Sequence, residues 1–401
     1  MSRGRLRTAL VVALLTLEVL LAPPAARATE IGPVTLAGLL DLVGTDHGRA
    51  TRMNALNMGG SSFDSYRLRL FADAVPDEKL SVFTQTIWGD EAPIEVVGAY
   101  VDYAPWPGRD LHVQAGKIPW WVGTYAPRTY SNRNTLIGTP LLYQYHTTFP
   151  YNHLPPNADA LLAQAGNGQF GVTYSSAYRP AKGLPILYDA CWDFGVVAVG
   201  SLRPLEFAIG GVNGAPSSAQ PGRDNNNGKS VLGRIGASPY PGLRFGVSGS
   251  YGPYLAEALE LGLPAGTKVG DYAQRLWVAD LAWAIEHLEI YSEGFTNRWE
   301  TPTVGNLDCH GVYVEAKYAF PVGAYVAARF DEIRFSDLAD STGLAYPWDA
   351  NVRRLEAGAG FRFTRSILAK AVYQWNRTDP RRGDAAIREA DTGAVQLSVG
   401  F

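Results

Sequence analysis

Ala390-Asp-Thr-Gly-Ala-Val395-Gln-Leu-Ser-Val-Gly-Phe401 closes the chain and decides the fold. Asp391, Gly393, Val395, Leu397, Val399 and Phe401 fall on one face of this stretch. Ala390, Thr392, Ala394, Gln396, Ser398 and Gly400 fall on the other. From Val395 onward the first face is apolar and the second small or polar. A period of two is that of a β-strand. With one side greasy and the other wet, the strand fits the wall of a membrane barrel, lipid outside and water within.

Upstream the same alternation recurs. In 351–363, Leu355, Ala357, Ala359, Phe361 and Phe363 oppose Glu356, Gly358, Gly360 and Arg362. In 322–335, Ala324, Val326, Ala328 and Phe330 oppose Tyr325, Arg329 and Asp331. In 65–74, Tyr66, Leu68, Leu70 and Ala72 oppose Arg67, Arg69 and Asp73. A soluble sandwich also alternates, but its apolar faces share one core. Here nearly every run carries charge on its second face, and the apolar faces outnumber what one core needs.

Eighteen such runs can be marked, from 34–44 to 390–401. Two of them, 158–165 and 169–178, follow a long segment at 120–157, and 158–165 is the least regular. Bacterial barrels close with an even number of strands, so eighteen is the first expectation and sixteen the runner-up. Short connections (Val75–Glu78, Pro105–Arg109, Gly166–Gly168, Ser201–Leu202) alternate with long ones (45–64, 120–157, 299–308, 379–389), as tight periplasmic turns and extended outer loops do. The fold class is all-β: a transmembrane antiparallel β-barrel of about 18 strands with a long loop folded into the lumen. Trp106, Trp120, Trp121, Trp277, Trp283, Trp299, Trp348 and Trp375 sit at strand ends, where rings suit headgroup depth.

The N-terminus reads as a signal peptide over 1–28, ahead of a single barrel domain over 29–401. Arg3, Arg5 and Arg7 precede an apolar stretch, and Ala26-Arg27-Ala28 offers small residues at the two positions a signal peptidase reads. An uncleaved anchor is the alternative, although the stretch is short for a spanning helix of about 20 residues. The formal charge of −3 excludes a nucleic-acid binder by bulk charge. Cys191 and Cys309, in an oxidising compartment, are a candidate disulfide pair or two isolated small residues. No metal motif and no cofactor is implied.

Segment 120–157 holds the residues that could carry function. It contains no acid from Lys117 to Asn157, but does contain Arg128, Tyr130, Arg133, His146 and His153. A loop of this length in a compact barrel is usually functional. Folded inward, it would place Arg128, Tyr130, Arg133 and His146 at a constriction; lying over the mouth, its arginines would merely be solvated. The wall charges expected to face the lumen are mixed. Arg67, Arg69, Arg234, Arg244, Lys317, Arg329, Arg362 and Lys370 stand against Asp73, Asp102, Asp280, Glu289, Glu293, Glu315, Asp331 and Glu356. Charge at the narrowest point sets selectivity, and each wall charge could equally be half of an inter-strand pair. Ser248 and Ser250 lie in no nucleophile elbow, and the histidines are scattered, so an enzyme is not expected.

Gly116-Lys117-Ile118-Pro119-Trp120-Trp121-Val122-Gly123, followed by Tyr125 to Tyr145, resembles the strand and constriction loop of the phosphate-selective porin O/P family. Phe401 resembles the terminal aromatic of outer-membrane barrels. The resemblance implies a porin in the outer membrane of a Gram-negative-type cell, in contact with its lipid, and a homotrimer. The lysine-rich ladder of that family is missing here. The expected function is a diffusion channel for small hydrophilic solutes or anions, with Arg128, Arg133, Arg67, Arg69, Arg329 and Arg362 touching solute. Two alternatives stay open: an occluded barrel serving as structural protein or adhesin, and a barrel enzyme acting on lipids.

Overall fold

The computed structural model describes residues 29–31, 34–46, 65–89, 92–188, 191–219, 224–379 and 391–401. The expected signal peptide at 1–28, and most of the connections at 45–64 and 379–389, lie outside the described residues. Sixteen antiparallel strands make the wall: β1 (Val34–Thr45), β2 (Ser65–Asp77), β3 (Leu80–Gly89), β4 (Ala92–Tyr103), β5 (Leu111–Pro119), β6 (Trp192–Leu202), β7 (Leu205–Val212) and β8 (Ser230–Tyr240), then β9 (Leu243–Pro253), β10 (Ala273–Ile285), β11 (Leu288–Thr301), β12 (Gly305–Ala319), β13 (Ala324–Phe335), β14 (Val352–Arg362), β15 (Ile367–Thr378) and β16 (Thr392–Gly400). A short strand, Thr29–Ile31, pairs with the start of β1, and Asp337–Ala339 with Ala345–Pro347 forms a separate two-stranded sheet.

Each wall strand pairs with the next, and β16 returns to β1 from Ala394↔Thr45 to Gly400↔Leu39. Closure leaves no edge, which a strand wall in hydrocarbon requires because unpaired backbone groups have no water to bond. Phe401 finishes the seam. Gly38 N donates to Phe401 O at 2.6 Å, and Phe401 N donates to Gly38 O at 3.0 Å. The Phe401 ring occupies the space of a side chain at position 38, where a Cβ would lie 2.3 Å from its Cζ, so the position needs glycine.

The two faces of each strand separate as alternation requires. In β13, Val326 and Phe330 are exposed while Tyr325, Arg329 and Asp331 are buried. In β14, Leu355 and Phe361 are exposed while Arg354 and Glu356 are buried; in β16, Val395 is exposed and Ser398 buried. The outside is therefore apolar and the inside polar, the reverse of a soluble domain.

Three expectations are corrected. The barrel has sixteen strands, not eighteen. Residues 158–165 start with a helix, Ala158–Ala163, whose Asn157 side chain caps the Ala160 amide and whose Leu161 and Leu162 are buried. Residues 168–170 form a 3₁₀ turn, and Val172 makes only an isolated bridge to Ala181. Adjacent apolar residues behind an Asn cap are a helix signal that a short window of alternation hides. Both runs are lost together, so parity is kept. The second correction is the long connection at 299–308: β11 and β12 continue to Thr301 and Gly305 and meet in a tight turn. Third, the tryptophans divide. Trp106, Trp277, Trp283 and Trp375 are exposed, whereas Trp120, Trp299 and Trp348 are buried inside the wall and form no girdle.

Candidate functional site

The connection between β5 and β6 runs from Trp120 to Cys191, well beyond the 120–157 marked in the sequence. Many of its rings and aliphatic side chains are buried, although Phe170 and Tyr178 are exposed. Tyr125, Leu141, Tyr143 and Phe149 join one buried cluster with Val278, Trp299, Tyr313 and Trp348 of the wall and its connections. Its backbone meets the polar face of β11–β16 through a dense set of bonds.

Arg329 on β13 is the centre of that set. It is fully buried and contacts three carboxylates: Glu315 at 3.2 Å, Asp331 at 3.2 Å and Glu356 at 2.5 Å. Nη2, which also bonds Glu356, reaches Gly138 O at 2.8 Å. The same carboxylates hold the connection in return. Gly138 N donates to Glu356 at 2.8 Å and Leu141 N to Asp331 at 3.0 Å. Position 138 must be glycine here, since a Cβ would stand 2.4 Å from Gln374 Nε2 and 2.5 Å from Glu356 Oε2. Lys370 on β15, also buried, spends its ammonium on three carbonyls: Ser131 at 2.8 Å, Asn134 at 3.0 Å and Leu136 at 2.9 Å. Tyr325 OH donates to Thr135 O at 2.8 Å and Tyr143 OH to Glu293 at 2.6 Å. Buried charges are costly unless paired or hydrogen-bonded: Arg329 is both, while Lys370 and Glu293 are held by hydrogen bonds alone.

The residues picked out in the sequence fall into two groups. Arg69, Arg128, Arg329, Asp331 and Glu356 are not free to meet a solute. Arg69 pairs with Asp41 at 3.2 Å. Arg128 pairs with Glu315 and lies 3.9 Å from the centre of the Tyr291 ring. Arg69, Arg128 and Arg329, expected from the sequence to touch solute, are each buried against a carboxylate, the cheapest state for such a charge away from water. Tyr130 OH donates to Gln85 at 2.9 Å, and its ring meets Phe71 edge-on. In the other group, Arg67 and Arg133 are exposed and have no ionic partner among the described residues. Arg362 is exposed and reaches Asn132 O at 3.3 Å. Asp102 is half-buried and accepts from His112 and Gln114.

His146 packs inside the connection, with Nδ1 2.6 Å from Gly183 O; a carbonyl only accepts, so Nδ1 carries the proton. Burial, helped by Lys182 and opposed by the bond to Gly183, pushes it down to about 4. Burial likewise pushes the Tyr125 hydroxyl up to about 12. Cys191 and Cys309 are both buried and are not bonded to each other, so the candidate disulfide is not formed. Ser248 is spent on the connection, accepting from Gly123 N at 2.9 Å.

The opposite side of the interior is open. Three cavities of about 950, 240 and 230 Å³ have Arg244 in common. The largest lies by the short turns after β6 and β8, with Pro204 and Pro241 in its wall; the other two run past Trp121 and Arg234. The sequence reading missed Asp41, Arg354 and Trp192. Asp41 had a signal, a lone carboxylate in an apolar run, and Arg354 lies on the same face as Glu356. Trp192 had none, because a ring at the start of a strand reads the same whether it points in or out.

A closed sixteen-stranded antiparallel barrel, greasy outside and polar inside, is the architecture of the general porins of outer membranes, and its apolar outer face places it in such a membrane. No family model and no curated protein matches the sequence. Solved structures do match in fold. OmpT of Vibrio cholerae is 11% identical with a TM-score of 0.55, covering 94% of this chain and 100% of OmpT. The anion-selective porin of Comamonas acidovorans is 9% identical with a TM-score of 0.56, covering 92% and 99%. Salmonella typhi OmpF in complex with daunomycin is 12% identical with a TM-score of 0.55, covering 92% and 97%. These likenesses show the fold that the porins share and do not single out the phosphate-selective O/P family.

Proposed function

We propose that the chain is a porin for passive diffusion of small hydrophilic solutes, with the connection after β5 folded into the lumen as its constriction. The observation that carries this is the asymmetry of the interior: polar groups of β11–β16 are consumed by that connection, while three contiguous cavities line the facing wall. The path passes between the connection and β3–β9. Anion preference would come from Arg133 and Arg67, which retain uncompensated charge, rather than from Arg128. No step of catalysis is involved. Assembly as a homotrimer extends to this chain what one OmpT structure is described as, a trimer form. The test is planar-bilayer recording of the purified protein. Steady ohmic current with permeability falling with solute size supports the pore. A complete lack of current would favour an occluded barrel acting as structural protein or adhesin, and lipid hydrolysis would favour an enzyme.

A further inference from the structure

The outward face of the wall ends differently on its two sides, at the end of the barrel from which the long connections leave. On β2, β3, β4, β6, β8 and β9 the outward residues there include Tyr66, Trp88, Ile94, Phe194, Val231 and Tyr251, all exposed. Lys117, paired with Glu95 at 3.6 Å, stands among them. On β10, β11, β13, β14 and β15 the corresponding positions are Arg275, Arg298, Arg334, Arg353 and Arg377, again all exposed. Trp277, Phe330, Leu355 and Trp375, exposed on the same outward faces, lie nearer the middle of the wall. The guanidiniums therefore stand where an outer-membrane barrel passes from hydrocarbon to headgroups.

The register sets two couples of these arginines face to face. Arg275 is the cross-strand partner of Arg298, and Arg353 that of Arg377. Side chains directly opposite in an antiparallel pair have Cβ atoms about 4.5–5.5 Å apart, and like charges there are destabilising. Carboxylates relieve part of this. Arg275 bonds Glu300 at 2.5 Å and Arg298 bonds Asp308 at 2.6 and 2.8 Å. Arg353 meets Asp379 at 3.5 Å and Arg377 meets Asp391 at 2.9 Å. A guanidinium has five N–H donors. In each of the four, some of them have no partner among the described residues. These exposed donors border the lipid side of the wall.

We propose that each couple is a binding fork for the phosphate monoester of an outer-leaflet lipid. A phosphate between two guanidiniums accepts from both and cancels the repulsion between them. The acyl chains of the same molecule lie along the apolar residues nearer the middle of the wall. Free phosphate would satisfy the donors and leave those residues bare; an uncharged lipid would cover them and leave the like charges opposed. The proposal rests on the membrane wall alone and is independent of what passes through the lumen.

The probe is lipid A, an acylated disaccharide carrying phosphate monoesters, against the same lipid with its phosphates removed and against inorganic phosphate. Thermophoresis of the full chain in a neutral detergent reports affinity. Lipid A is expected to bind, and the other two to bind at least about tenfold more weakly. Arg298→Gln combined with Arg377→Gln leaves one guanidinium in each couple. It should weaken lipid A binding about tenfold, the worth of one charged hydrogen bond. Both side chains point away from the lumen and the packed interior, so the strand signal in circular dichroism should match the parent and certify assembly. Arg275→Gln alone serves where the double variant does not assemble, and should weaken binding as well. Equal affinity for lipid A and its dephosphorylated form would overturn the proposal. So would equal affinity for inorganic phosphate, or unchanged lipid A affinity in the variant that assembles.

Discussion

The two halves of the interior wall share one architecture and differ in what they do with their charge. On β11–β16, carboxylates and cations are buried and face the backbone of the long connection: Arg329, Lys370, Glu356 and Asp331 hold residues 131–141. On β3–β9, the rings of Phe83, Tyr100 and Trp192 and the Arg234–Arg244 cluster border open space. Alternation of polar and apolar residues is the same in both. What differs is whether a second layer of chain covers the polar face. Wall charge in a barrel therefore has two uses, anchoring and lining, and the residue type does not reveal which.

Removing the anchor should give the largest effect. Arg329→Ala leaves Glu315, Asp331 and Glu356 buried without their shared cation. A cost of about 3–5 kcal/mol is expected, with faster hydrogen exchange at the Gly138 and Leu141 amides and larger single-channel conductance. Unchanged exchange at both amides would erase the distinction between the two halves.

Acid should loosen the same connection from inside. His146 sits at about 4 when folded, against about 6.5 when free. A depressed histidine withholds a proton the unfolded chain would bind, so its stabilising share is full above pH 6.5 and is lost as pH falls toward 4. The loss is up to about 3 kcal/mol. It should appear as increased exchange at Thr147, whose amide donates to Leu184 O, and be absent in His146→Gln.

A milder change is expected from Lys370→Met, which keeps the volume and withdraws the donor from Ser131, Asn134 and Leu136. About 2 kcal/mol should be lost locally, read as faster proteolysis after Arg133. The smallest effect tests the solute side. Arg133→Ala should lower the anion-to-cation permeability ratio by roughly two- to fivefold, the scale of one exposed charge, whereas Arg128→Ala should leave the ratio unchanged because Glu315 already neutralises that side chain. Reversal potentials in a salt gradient separate the two.

Most of the wall could be read from the chain, because a period of two with lipid outside constrains every second residue. The runs at 65–74, 322–335 and 351–363 correspond to β2, β13 and β14. The exceptions have local causes. A capped helix at 158–163 imitates a short strand, and Trp299 and Trp348 at strand ends point inward rather than to headgroups. The candidate site was legible as a segment and as residue types. Arg128, Tyr130 and His146 could be picked out as constriction candidates, but their partners Glu315, Gln85 and Gly183 could not.

By itself, the sequence determined that this is a barrel wall and which face of each strand meets lipid, since alternation is a local property set by backbone geometry. Only the tertiary structure decided that Arg329 and Lys370 bind chain, that Arg133 stays exposed, and that rings from three strands and the connection border one cavity. Those relations join residues far apart along the chain, and they exist only once the cylinder has closed and the connection after β5 has chosen the side on which it lies.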